Sequence, residues 1–119
     1  GDFLGISTLN IQWSSNSNNV SGYIYYGNAQ TNSNTGFVPT TKSKIVGISA
    51  VSQDNSNDSI SIIVNGYVVQ NVWWQSGIIS LNNLNIDVNS SDVVNLYLNG
   101  SGGSRPNKPC ITLFIKSRI

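Results

Sequence analysis

The stretch SISIIVNGYVVQNV, Ser59 to Val72, decides how this chain folds. Ile60, Ile62 and Val64 alternate with Ser59 and Ser61, the two-residue period of a strand with one buried face. Asn65-Gly66 then supplies the pair that a two-residue type I′ hairpin turn needs, because both central positions take positive φ. So tight a turn also sets register, placing Val64 opposite Tyr67, Ile63 opposite Val68 and Ile62 opposite Val69. On that pairing Ile60, Ile62, Val64, Tyr67, Val69 and Trp73 face the core. Ile63, Val68, Val72 and Trp74 fall on the other face. Apolar residues on the second face of an antiparallel pair predict cover by another sheet or another subunit.

The same period continues outward from the hairpin. Lys44 to Val51 sets Val46, Ile48 and Ala50 on one side; Leu84, Ile86 and Val88 alternate with Asn85, Asp87 and Asn89; Val94, Leu96 and Leu98 alternate with Asn95, Tyr97 and Asn99. Val20 to Tyr26 and Gly36 to Val38 read as further strands, and Asn89 to Asp92 as a turn whose short side chains bond their own backbone. Cys110 to Arg118 closes the series with Ile111, Leu113 and Ile115 on one face and Cys110, Thr112 and Phe114 on the other, the pattern of a strand inside a sheet. No window carries the three-and-four spacing of a helix. Residues 1–19 read as a lead-in, with Asn10 to Asn19 as a polar linker, and residues 20–119 as one domain. Gly100 to Lys108 reads as a long exposed loop. Seven or eight short strands joined by polar turns predict an all-β, antiparallel two-sheet β-sandwich.

Composition narrows the chemistry. The chain has no His, no Glu and no Met, one Cys and 9% charged residues, while Asn and Ser fill roughly three positions in ten. General acid–base catalysis at neutral pH draws on side chains that are nearly missing here, so no catalytic residue is expected and a binding or structural module is. Six scattered basic residues and a net charge of +1 make no stripe suited to nucleic acid. No apolar run is long enough for a membrane span, so no membrane insertion is expected either. The lack of any Met predicts that something precedes Gly1 in the natural protein. Cys110 reads as a small buried hydrophobe. Asp54 to Asp58 alternates oxygen-bearing side chains as calcium loops do but lacks their glycine and distal acid, so no metal or other cofactor is expected.

Aromatics carry the remaining signal. Trp13, Trp74, Tyr25 and Tyr26 are the candidate ligand contacts, since an exposed ring packs on the CH groups of a sugar while neighbouring amides bond its hydroxyls. Arg105, with Lys42 and Lys44, is the candidate for an acidic sugar.

The order of segments also resembles a known group. Gly36-Phe37-Val38-Pro39, Lys44 to Ala50, Ser61 to Gly66, Asn85 to Val88 leading into Asp92-Val93-Val94 and Leu96-Tyr97-Leu98, and Ile111 to Ile115 together look like the C-terminal head domain of bacteriophage tail fibres. That group is similar to the trimeric jelly-roll knobs of the tumour-necrosis-factor and complement type. The resemblance implies a homotrimer at the tip of a virion fibre, binding a host-surface glycan or protein, with one sheet of each sandwich packed about the threefold axis. Ile63, Val68, Val72, Tyr97 and Phe114 would then form the subunit interface. Two other readings stand beside it: a carbohydrate-binding module of a secreted protein, using Trp74 and Trp13, and a purely structural trimerisation or decoration domain.

Overall fold

The computed structural model describes residues 6–18, 20–27, 29–32, 34–53, 58–99 and 106–118. Eleven strands are formed and no helix, among the described residues: β1 (Ile6–Ser14), β2 (Gly22–Tyr23), β3 (Tyr25–Tyr26), β4 (Ala29–Gln30), β5 (Ser43–Val51), β6 (Ser59–Val64), β7 (Tyr67–Trp73), β8 (Ile78–Leu81), β9 (Ile86–Val88), β10 (Val94–Leu98) and β11 (Cys110–Arg118). Every pairing is antiparallel. The larger sheet runs β4-β3-β1-β11-β5-β8, with β9 also on β5; the smaller runs β2-β10-β6-β7. The two pack face to face as the expected sandwich. Ile60, Ile62, Val94, Leu96 and Leu98 from the smaller sheet meet Trp13, Ile45, Ile48, Ile111, Leu113 and Ile115 from the larger in one core.

The hairpin turn forms as the sequence predicts. Asn65 has φ 53° and Gly66 φ 83°, and Val64 pairs with Tyr67 and Ile63 with Val68. Asn65 does more than turn the chain: its Oδ1 accepts from Val93 N–H at 2.9 Å and its Nδ2 donates to Asp92 Oδ1 at 3.0 Å. Asn89 N–H in turn donates to Asp92 Oδ2 at 2.9 Å, so the 89–92 turn and the hairpin tip are bound into one unit.

Beyond Ile63 the register departs from expectation. A bulge lies between Ile62 and Ile63, so Ile62 pairs with Gln70, not Val69, and Ile60 pairs with Val72. One extra residue inverts every side chain that follows it. Val72 and Trp74 are therefore in the core and Trp73 is exposed, as is Val69 at the bulge itself; Tyr67, ahead of the bulge beside the turn, is exposed as well. The cause is visible in β7: unbroken alternation from Tyr67 would put Asn71 on the core face, where an unpaired amide costs several kcal/mol, about 2–7. The bulge exchanges that amide for Val72.

A second bulge, between Phe114 and Ile115, shifts the parity of β5 in the same way. Phe114 pairs with Gly47 and Ile115 with Ile45, so Ile45 joins Ile48 and Ala50 in the core in place of the expected Val46.

Four other expectations change. Residues 6–14 are no lead-in: Leu9, Ile11 and Trp13 alternate along β1, which pairs with β11 over its full length. Gly36 to Val38 forms only a bridge, through Phe37 and Val94, and not a strand. Val20 to Tyr26 divides at the buried Ile24, with β2 in the smaller sheet and β3 in the larger. The final strand does lie inside its sheet, between β1 and β5, and Cys110 on its outer face is half-buried rather than buried, with Gln12 Nε2 donating to its Sγ at 3.0 Å.

Candidate functional site

The outer face of the smaller sheet is built without charge. Its four strands read GY, VNLYL, SISIIV and YVVQNVW, with no charged residue among them. The register lines up Tyr23, Tyr97, Ser61 and Asn71 across the sheet, with Ser59 and Trp73 paired in the adjoining row. Tyr23 and Tyr97 meet edge to face with centroids 5.0 Å apart. Asn99 lies beside Ser59, bonded through its backbone N–H to Ser59 O at 3.1 Å.

Hydrogen bonds fix the middle of this face. Asn99 Nδ2 donates to Ser59 Oγ at 2.7 Å and to Ser61 Oγ at 3.0 Å, and Ser61 Oγ donates to Asn71 Oδ1 at 2.6 Å. The serine hydroxyls are buried beneath the amides, so the network is sheltered and its geometry is held. Asn71 itself is exposed, with its Oδ1 held by Ser61.

Trp73 stands at the edge of this network and is 56% exposed. It also walls a groove of about 590 Å³ between β7 and β8, the neighbouring edge strands of the two sheets, where Asn71, Gln75 and Ser80 supply polar atoms, Ile78 and Leu81 exposed apolar surface, and Val72 and Ile79 buried apolar lining. An amphipathic groove with one large ring, one amide held in place and a few further polar atoms has the lining of a small-ligand site. From Tyr97 to Trp73, two strand spacings and one pleat, the platform spans about 12 Å.

Two of the expected ligand contacts are placed differently, while Tyr25 and Tyr26 both reach the surface. Trp13 is 0% and Trp74 4% exposed, both in the core, and neither ring has a face open to a ligand. Tyr26 lies over Trp13 at 5.4 Å and meets Phe37 edge on at 6.4 Å, so its ring closes one end of the core. Tyr25 is exposed. Arg105, like Asp54, lies outside the described residues. Asp58 is buried and accepts a hydrogen bond from Ser59 N–H at 2.8 Å. Lys44 is engaged with Asp87 at 3.5 Å on the larger sheet.

Of the five expected interface residues, Val72 is in the core and Ile63 is buried within the single chain. Tyr97 and Phe114 are half-buried, and Val68 is exposed. Trp73, which sequence reasoning assigned to the core, is the residue missed. Its signal was Asn71, which cannot share a core face with Ile60 and Ile62.

No family model matches the chain, and no curated protein does. Among solved structures, the chain is similar to the Podospora anserina GH26-CBM35 β-(1,4)-mannanase, with a TM-score of 0.46 and 15% identity over 97% of this chain. The chain spans 28% of the length of that protein.

Proposed function

We propose that this chain is a non-catalytic glycan-binding module whose site is the Trp73 groove together with the amide and hydroxyl face beside it. The observation that carries this is a half-exposed indole on a four-stranded face with no charged residue. A neutral sugar offers CH groups to a ring and hydroxyls to amides, and meets no uncompensated charge here. A charged ligand would find no counter-ion on these strands. Titration with cello-, manno-, xylo- and malto-hexaose, followed by calorimetry, tests it. Binding of at least one of these, weakened tenfold or more by Trp73→Ala, is expected. No heat with any of the four at millimolar concentration, or binding indifferent to Trp73, overturns it.

A second reading, that the module is the homotrimeric receptor-binding head of a phage tail fibre, is favoured by a separate observation. Tyr67, Val68 and Val69 are all exposed on β7, an edge strand with no charged residue. Uncharged apolar edges of this kind invite pairing with another chain. In that setting the glycan belongs to a host surface, the module sits at a virion tip, and threefold repetition raises weak binding through avidity. A monomeric module serves a secreted protein instead. Native mass measurement separates them, three chains supporting the head and one supporting the secreted module.

A further inference from the structure

Tyr25 stands at the opposite edge of the sandwich from Trp73, on β3, the next-to-last strand of the larger sheet. Its neighbour Tyr26 is spent on Trp13, and Tyr25 itself pairs with Ser14 and Gln30 and is 42% exposed. Two clefts meet at it. One of about 310 Å³ is lined by Ser15, Ser17, Asn18, Tyr23 and Gln30 among others, and one of about 330 Å³ by Ser14, Ser15, Asn16 and Ser17. Both are at the small end of the range for ligand clefts, roughly 300–1,000 Å³, and neither is lined by a charged side chain.

The walls are tied down from several directions. Gln30 Nε2 donates to Tyr23 O at 3.1 Å, spanning β2 and β4. Thr31 Oγ1 donates to Ile24 O at 2.8 Å, and the Thr31 backbone N–H to the same oxygen at 3.2 Å, closing the β3–β4 hairpin. Residues 15, 17 and 20 are strapped to residues 106–109 by Ser15 N–H to Pro109 O at 3.1 Å, Val20 N–H to Pro106 O at 2.9 Å and Lys108 N–H to Ser17 O at 2.8 Å. Ser17 N–H adds a bond to Ser15 Oγ at 3.2 Å. A loop held this way loses little freedom when a ligand arrives, which is where affinity for a small ligand is usually lost.

We propose that Tyr25 is the stacking wall of a second glycan subsite, taking one or two neutral sugar rings against Ser15, Ser17 and Gln30. This rests on the glycan-binding reading above and extends it, since two subsites at opposite edges let one module engage two glycan chains or two points of one chain. Linked sites of this sort gain avidity without new contacts at either.

The test is a titration of the whole chain, labelled with ¹⁵N, by cellobiose, mannobiose, xylobiose and maltose, probes too short to span both edges. Saturable shifts at Ser15, Ser17 and the Gln30 amide are expected in addition to those at Asn71 and the Trp73 indole. Tyr25→Ala is expected to weaken the first set at least tenfold and the second less than twofold. Gln30→Ala, which keeps the ring, serves if Tyr25→Ala does not fold, and is expected to weaken the first set alone about fivefold. Shifts confined to Asn71 and Trp73 would overturn the second subsite while leaving the module a glycan binder. No shifts with any probe would overturn both, and shifts at the Tyr25 set alone would support this subsite and remove the Trp73 one.

Discussion

Trp73 and Trp74 are adjacent in sequence and opposite in fate, and paired substitutions test the bulge that decides which of the two is buried. Trp74 is 4% exposed and packs in the core. Truncating a buried Trp to Ala costs about 3–5 kcal/mol, as transfer free energy and cavity together. At about 2.1 cal/mol/K of unfolding entropy per residue, a chain of 119 residues has about 0.25 kcal/mol/K, so Trp74→Ala lowers Tm by about 12–20 °C. Trp73 keeps more than half its surface in water, so the same truncation scales to about 1–2 kcal/mol and a fall of about 4–8 °C. Thermal melts followed by circular dichroism give both numbers. Acrylamide quenching supplies a second readout, because Trp73 is the exposed member of the three tryptophans: Trp73→Phe removes most of the quenchable emission and leaves a blue-shifted spectrum from Trp13 and Trp74. Equal destabilisation by the two Ala variants, or quenching that survives Trp73→Phe, would refute the inverted register and with it the site built on Trp73.

Further outcomes follow from single positions. Gly66→Ala, at φ 83° in the hairpin turn, should cost about 1–2 kcal/mol, read as a shift in the urea midpoint; no shift would mean that the turn relaxes into another type. A Cβ at Gly36 would fall on Asn95 Oδ1 and Val94 O, so Gly36→Ala should cost about 1–3 kcal/mol and raise exchange of the Phe37 and Val94 amides; unchanged exchange would contradict the close approach. Asn99→Ala removes the amide that joins Ser59 to Ser61 and should cost about 1–3 kcal/mol by leaving buried hydroxyls short of a partner, a loss that equilibrium denaturation can confirm or deny. Lys44→Ala should stay within about 1 kcal/mol of the parent in the same assay, because its pair with Asp87 is largely solvated.

What the sequence made legible was parity, and what it hid was where parity breaks. Val94, Leu96 and Leu98 are all in the core as alternation predicts, and Ile111, Leu113 and Ile115 likewise, in a strand that lies inside its sheet as expected. Asn65-Gly66 gave the turn and the first two pairs correctly. A bulge carries no composition of its own, so a period-two reading runs straight through it. In β7 the contradiction was present in Asn71, and in β5 it lay in Val46 and Ile45, both apolar and therefore silent. Trp13 is a different case: Leu9, Ile11 and Trp13 alternate legibly along β1, and only the polar run Ser14 to Asn19 makes the segment read as a linker. The Tyr25 clefts were beyond reach in another way, since their walls come from residues 14–18, 20–25 and 30, and their positions depend on backbone bonds to residues 106–109 that only the tertiary fold creates.

The position of β11 has a consequence for biosynthesis. Its two neighbours, β1 and β5, do not pair with each other, so during translation they emerge and wait, each with an unsatisfied backbone edge, until residues 110–118 leave the ribosome. The larger sheet cannot close by stages from its N-terminal end. Deleting those nine residues would split that sheet into two fragments, and what remained would be a substrate for chaperones or proteases before it was a smaller version of the domain.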